Sequence, residues 1–197
     1  MATVEEYQNI SLQDKLRRTA HHEAGHVVVA VQQGVPLRVE GIAVDPVGEG
    51  VACYWKEPEN DDLSRKRVIR ATFAGFDAEG EFCRLHSLPI LEGLPIICSP
   101  DWIEARTHAC RLVDIGPFTS VNEIHDFLHG ESCHLVRQYW HVIDAIAVAL
   151  LMKDWEPLQK LKSGGIWSQQ TTAKYLKGEK LVTLLQLFDL PAVCRVY

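Results

Sequence analysis

Residues 11–34 read Ser11-Leu12-Gln13-Asp14-Lys15-Leu16-Arg17-Arg18-Thr19-Ala20-His21-His22-Glu23-Ala24-Gly25-His26-Val27-Val28-Val29-Ala30-Val31-Gln32-Gln33-Gly34. Ser11 is an N-cap residue, with Asp14 three positions on as an acidic partner for the first turn. From Leu12 the spacing predicts a helix through Gln33. Gly34 then supplies a C-cap, and Pro36 prevents continuation. The run Val27-Val28-Val29-Ala30-Val31 is rich in β-branched residues, which favour strand. The caps at both ends outweigh that preference, and a stretch apolar on every side reads as a helix buried all round.

Leu37–Val44 and residues 51–56 read as two strands, joined by the turn-rich Asp45-Pro46-Val47-Gly48-Glu49-Gly50. A second helix starts at residues 60–62 and runs to about Arg84. Its Val68, Ile69, Phe73, Phe76 and Phe82 make a wide apolar face. Residues 86–98 hold Pro89, Gly93 and Pro95 and read as irregular. Ser99 caps a third helix, with Pro100 at its first position, to about Val113. After Gly116-Pro117 the chain reads as mostly helical over residues 119–161, with a break at Gly130. Ser163-Gly164-Gly165 is a loop, and two short helices are expected at residues 171–176 and 181–187. The predicted fold class is mainly α within α+β: one small β-sheet near the N-terminus and a C-terminal helical part. A single domain is expected over residues 1–197, divided into 10–115 and a helical 116–197.

With 197 residues, 47% hydrophobic and 23% charged, the chain can bury a core without a disulfide or metal to hold it. A net charge of -6 and the lack of a Lys/Arg cluster argue against nucleic acid as a partner. The six cysteines, at 53, 83, 98, 110, 133 and 194, include no pair separated by two residues. Residues 1–10 carry acidic residues and no apolar core of a secretory signal. The cysteines are therefore expected to be reduced, in a cytoplasmic protein. The longest apolar run, residues 142–152, contains Asp144 and is too short for the ~20 residues of a membrane span.

His22-Glu23-Ala24-Gly25-His26 is an H-E-x-x-H pattern. On a helix, residues four apart lie one above the other, so both imidazoles can face one metal ion. Glu23 is then placed to take a proton from a zinc-bound water, whose pKa the metal lowers to ~7. Two histidines and a glutamate are costly to bury in an apolar, capped helix without such a purpose. A third protein ligand is required. Residues 27–33 contain no Gly and His in the metzincin positions, so the ligand must come from downstream. Glu79 and Glu81 on the second helix and Asp101 at the start of the third are the candidates, and spacing alone does not choose among them.

Three segments, in order, resemble the peptidase domain of the FtsH-type ATP-dependent zinc metalloproteases. They are Arg18-Thr19-Ala20-His21-His22-Glu23-Ala24-Gly25-His26-Val27-Val28, Ala74-Gly75-Phe76-Asp77-Ala78-Glu79, and Ser99-Pro100-Asp101-Trp102-Ile103-Glu104-Ala105. The resemblance covers roughly residues 10–115, and the first segment is its most specific part. It implies a helical zincin-like metallopeptidase fold and one Zn2+ held by His22, His26 and Asp101. It further implies Glu23 as general base and Glu79 as a residue orienting a ligand histidine. The family's Gly-Ala before its serine is replaced here by Ile97-Cys98. Its ATPase module has no counterpart, since no G-x-x-x-x-G-K-[ST] loop is present.

The implied activity is zinc-dependent hydrolysis of peptide bonds in peptides or unfolded segments. Substrate delivery by a separate ATPase or assembly into a homo-oligomer is compatible with this. Such a substrate is expected to pair with an edge strand beside the metal, with Leu37–Val44 as the candidate. The alternatives are a non-catalytic binding or regulatory module on the same fold, and a different metal-dependent hydrolase.

Overall fold

Helix α1, Leu12–Gln32, makes its most extensive packing contact with the next helix in the chain. A computed structural model describes residues 9–55, 61–90, 99–113, 120–158 and 171–195. The Ser11 hydroxyl oxygen accepts from the Asp14 N–H at 3.1 Å, closing the first turn. At the other end Gly34 takes φ 75°, a left-handed conformation. There the Gly34 N–H donates to the Val31 carbonyl and the Val35 N–H to that of Ala30, at 2.9 and 2.8 Å. This paired closure satisfies carbonyls that a helix end leaves unbonded. Residues 27–31 are at most 1% exposed. Each valine costs about 0.5 kcal/mol in helix propensity relative to alanine, against about 1.5–3 kcal/mol gained on full burial, so packing decides the conformation.

Strands β1, Leu37–Val44, and β2, Gly50–Tyr54, pair antiparallel. Asp45 holds their turn, its Oδ1 accepting from the N–H groups of Val47 and Glu49 at 3.0 and 2.8 Å. Helix α2, Asp62–Leu85, is capped by Asp61, whose carboxylate accepts from the Ser64 N–H at 2.8 Å. Helix α3, Pro100–Val113, begins with the Ser99 hydroxyl accepting from the Trp102 N–H at 3.1 Å. Two further helices follow, α4 at Val121–Gln138 and α5 at Trp140–Leu151. They precede β3 (Glu156–Leu158), β4 (Thr171–Leu176), α6 (Gly178–Gln186) and β5 (Cys194–Arg195).

The chain is mainly helical with one small sheet, as expected, but the sheet is larger and the C-terminal part less helical than the sequence indicated. Its order is β2-β1-β4-β3, with β5 pairing β1 in parallel. Thr171–Leu176, expected as a helix, is a strand. Its Ile42↔Leu176 and Val44↔Lys174 register places Ala173 and Tyr175 on the face shared with Ala43 and Val51. The expected edge strand Leu37–Val44 lies inside the sheet, flanked by β2 on one side and by β4 and β5 on the other. Among the described residues, β2 is the edge strand on one side and β3 ends the other.

The break expected at Gly130 is displaced to Tyr139, and α4 runs through the glycine. A single helical glycine costs about 1 kcal/mol against alanine. The Ser120 cap and the buried Ile124, Leu128 and Val136 offset that cost. The helix expected through 161 ends at Leu151, and residues 163–165 lie outside the described ones. The second short helix, expected at 181–187, is Gly178–Gln186.

Two cores result. One joins α1 to β1, α5 and α6 through residues such as Val28, Ile42, Ile146 and Leu181. The other lies between α2, α3 and α4, with Phe73, Ala105, Ala109 and Leu128. Helix α2 is thus packed on both sides, against α1 and against α3. Gly25 permits the first contact: a β-carbon there would overlap the Ala74 carbonyl and the Ala78 side chain. Cys53, Cys83, Cys110, Cys133 and Cys194 are not disulfide-bonded. No described helix is long and apolar enough to cross a membrane.

Candidate metal centre

His22 and His26 lie one turn apart on α1, and their Nε2 atoms stand 3.1 Å from each other. Asp101, in the first turn of α3, brings Oδ2 to 3.2 Å from His22 Nε2 and 3.4 Å from His26 Nε2. Its position follows from the Ser99 cap, which fixes the start of α3, and from the packing of α3 on α2. Three donors at about 2.0–2.1 Å from a tetrahedral ion stand about 3.3 Å apart. The observed triangle has those edges.

The hydrogen-bond partners fix the tautomers. His26 Nδ1 faces the Ala71 carbonyl at 2.8 Å, which can only accept, so Nδ1 carries the hydrogen. His22 Nδ1 faces Glu79 Oε2 at 3.1 Å and likewise donates. Glu79 is itself held by Arg18, whose Nε lies 3.3 Å from Oε1. In the neutral rings both Nε2 lone pairs then converge on one another and on a carboxylate. That arrangement is unfavourable unless a cation fills it. In the metal-free chain a proton takes the role. Burial opposes charge on His22, but the Asp101 and Glu79 carboxylates outweigh it and raise its pKa well above the ordinary value. Burial also opposes charge on Asp101, and the imidazoles of His26 and His22 overcome this to hold its carboxyl well below the usual range.

The surroundings fix the rings. Phe76 meets His22 edge-on at 5.0 Å, and Tyr54 lies 5.9 Å from His26. Gly75 lies directly against both imidazoles: a β-carbon there would overlap Nε2 and Cε1 of His26 and approach His22 Nε2 to 2.7 Å. Glu23 is 5% exposed and runs along the backbone of Gly50, where a β-carbon would overlap its carboxylate. Its charge reaches His22, favouring the imidazolium.

Five of the sequence-predicted residues meet in this one place. His22, His26 and Asp101 form the donor triangle, Glu79 backs His22, and Glu23 lies alongside. Glu81 does not join them; its carboxylate pairs with Arg84 at 2.5 and 2.9 Å. His21 faces away, stacked on Phe82 and Trp140 at 4.4 and 5.3 Å. The sequence did not single out Gly75, Arg18 or the Ala71 carbonyl as site groups. The small residues Ala71, Ala74, Gly75 and Ala78, at helical spacing, were the available signal for the α1–α2 approach. No family model matches the chain, and no curated protein matches it.

Proposed function

We propose that this chain is a zinc-dependent metalloendopeptidase, similar to the FtsH-type peptidase domains, that hydrolyses peptides or unfolded segments. The observation that carries the reading is the convergence of His22 Nε2, His26 Nε2 and Asp101 Oδ2 at 3.1–3.4 Å, with both Nδ1 atoms already committed as donors. Two imidazoles and one carboxylate are a donor set that suits zinc and leaves a coordination position open. Zinc bound there polarises a substrate carbonyl and acidifies water.

The chain's own residues supply the rest. Glu23 takes one proton from the attacking water as its oxygen bonds to the carbonyl carbon. It returns that proton to the amide nitrogen as the C–N bond breaks, leaving an amine and a carboxylic acid, whose remaining proton is released to solvent. Glu79, held by Arg18, keeps the hydrogen of His22 on Nδ1 and its lone pair on Nε2. Gly50 opens β2 beside Glu23. An extended peptide added to β2 would pass this carboxylate, with main-chain hydrogen bonds giving affinity for unfolded substrates.

The test combines metal analysis with casein digestion. The purified chain should contain zinc, cleave casein, lose activity to a chelator and regain it with zinc. Casein cleavage unaffected by metal removal would refute the reading. A zinc-loaded protein that binds but never cleaves peptides would favour a binding module.

A further inference from the structure

Helix α4 carries a second histidine at the same spacing trick as α1: His129 and Cys133 are four residues apart and face α2 together. Asp77 of α2 meets them there. Its Oδ1 lies 2.8 Å from His129 Nε2 and 3.1 Å from Cys133 Sγ. The three donor atoms all lie within 4.8 Å of one another. Asp77 sits two positions along from Gly75, which places it on the face of α2 turned from α1. This cluster is therefore separate from the His22, His26 and Asp101 triangle.

We propose that Asp77, His129 and Cys133 form a second metal site, for a borderline divalent cation such as Zn2+. A carboxylate, an imidazole and a thiolate are a donor set that zinc accepts and that magnesium or calcium does not. The independent sign of a ligand is on Asp77. Its side chain is only 5% exposed, and its second oxygen, Oδ2, is buried with no hydrogen-bond partner. A buried carboxylate oxygen without a partner is costly, and an ion bound by both carboxylate oxygens would remove that cost. In the metal-free chain protons stand in. His129 Nε2 and the Cys133 thiol both donate to the same Asp77 oxygen. Metal binding releases these protons to solvent, and the Cys133 sulfur binds as thiolate.

Access and support are both present. His129 has 39% of its side chain exposed, which leaves a route for the ion. Phe73 packs 5.2 Å from the His129 ring. Trp102, the residue after Asp101, packs against His125 at 3.9 Å, and His125 lies one turn before His129. Filling the second site would therefore brace the start of α3, which carries Asp101.

Cobalt(II) distinguishes the two sites, because among the described residues only the second cluster offers a thiolate. Apo-protein titrated with Co2+ should bind two equivalents and develop a near-ultraviolet thiolate-to-cobalt charge-transfer band. Cys133→Ser and His129→Ala should each lose that band and one equivalent while keeping the other. His22→Ala should keep the band, so failure of the first site does not mimic failure of the second. If a substitution at 129 or 133 unfolds the chain, the unmodified protein still decides the matter. Stoichiometric Zn2+ should slow alkylation of Cys133 several-fold, read by peptide mass spectrometry, and leave the exposed Cys110 unchanged. Binding of a single equivalent without a charge-transfer band, a band that survives in both variants, or unprotected Cys133 would each overturn the proposal.

Discussion

Gly75 stands against the His26 imidazole so closely that a β-carbon at 75 would overlap Nε2 and Cε1 of that ring. The position is part of the candidate metal centre without offering it a donor atom. Gly75→Ala should displace both histidine rings. Overpacking of this kind typically costs about 1–3 kcal/mol. Zinc content should drop and thermal stability should fall together. An alanine variant with full zinc occupancy and unchanged melting would mean the rings have room that the structure does not give them.

Glu23→Gln keeps size and hydrogen bonding and removes basicity. General-base catalysis is worth ~10²–10⁴-fold, so casein or peptide turnover should fall by that factor. Zinc content and the circular dichroism spectrum should be unchanged. Near-normal kcat in the zinc-loaded variant would remove Glu23 from the mechanism.

Asp101 and Glu79 should separate by the size of their effects. Asp101→Ala deletes a donor from the triangle and should empty the first site. Glu79→Ala leaves the triangle and frees the His22 tautomer, which typically weakens metal binding by ~10–100-fold. Competition with a chromophoric chelator measures both. The reverse ranking would make Glu79 the ligand.

Cys83 provides a pH dependence that is independent of metal. It is 1% exposed, and burial, with the Glu79 charge adding, pushes its thiol up from 9.0 to about 11. An unfolded chain ionises this thiol first. The folded state is therefore unaffected below pH 9 and loses stability as pH rises from 9 towards 11, by no more than about 3 kcal/mol. Urea unfolding of the reduced protein and of Cys83→Ala should show a constant stability difference below pH 9. Above it the difference should shift steadily in favour of the variant. A difference that stays constant through this range would show that Cys83 ionises equally in both states.

What the sequence determined by itself is local. Ser11, Asp14 and Gly34 set the ends of α1, because caps act within one turn. The i,i+4 spacing aligned His22 with His26, because helical geometry alone does so. Ser99 and Pro100 located α3, and the described residues between them and α1 form the two strands and the helix that were expected there. Tertiary structure decided the rest. Spacing left Asp101, Glu79 and Glu81 as equal candidates, and the FtsH-type resemblance alone favoured Asp101. The packing of α3 on α2 brings Asp101 to His22 across 79 residues of sequence. The same holds for Thr171–Leu176, whose short apolar pattern fits helix or strand until β1 offers its free hydrogen-bonding edge. It holds for Asp77, His129 and Cys133, where two of the three residues have visible helical spacing and the third arrives from another helix. Periodicity reports which face of an element is apolar; which other element covers that face is set by packing between residues far apart in the chain.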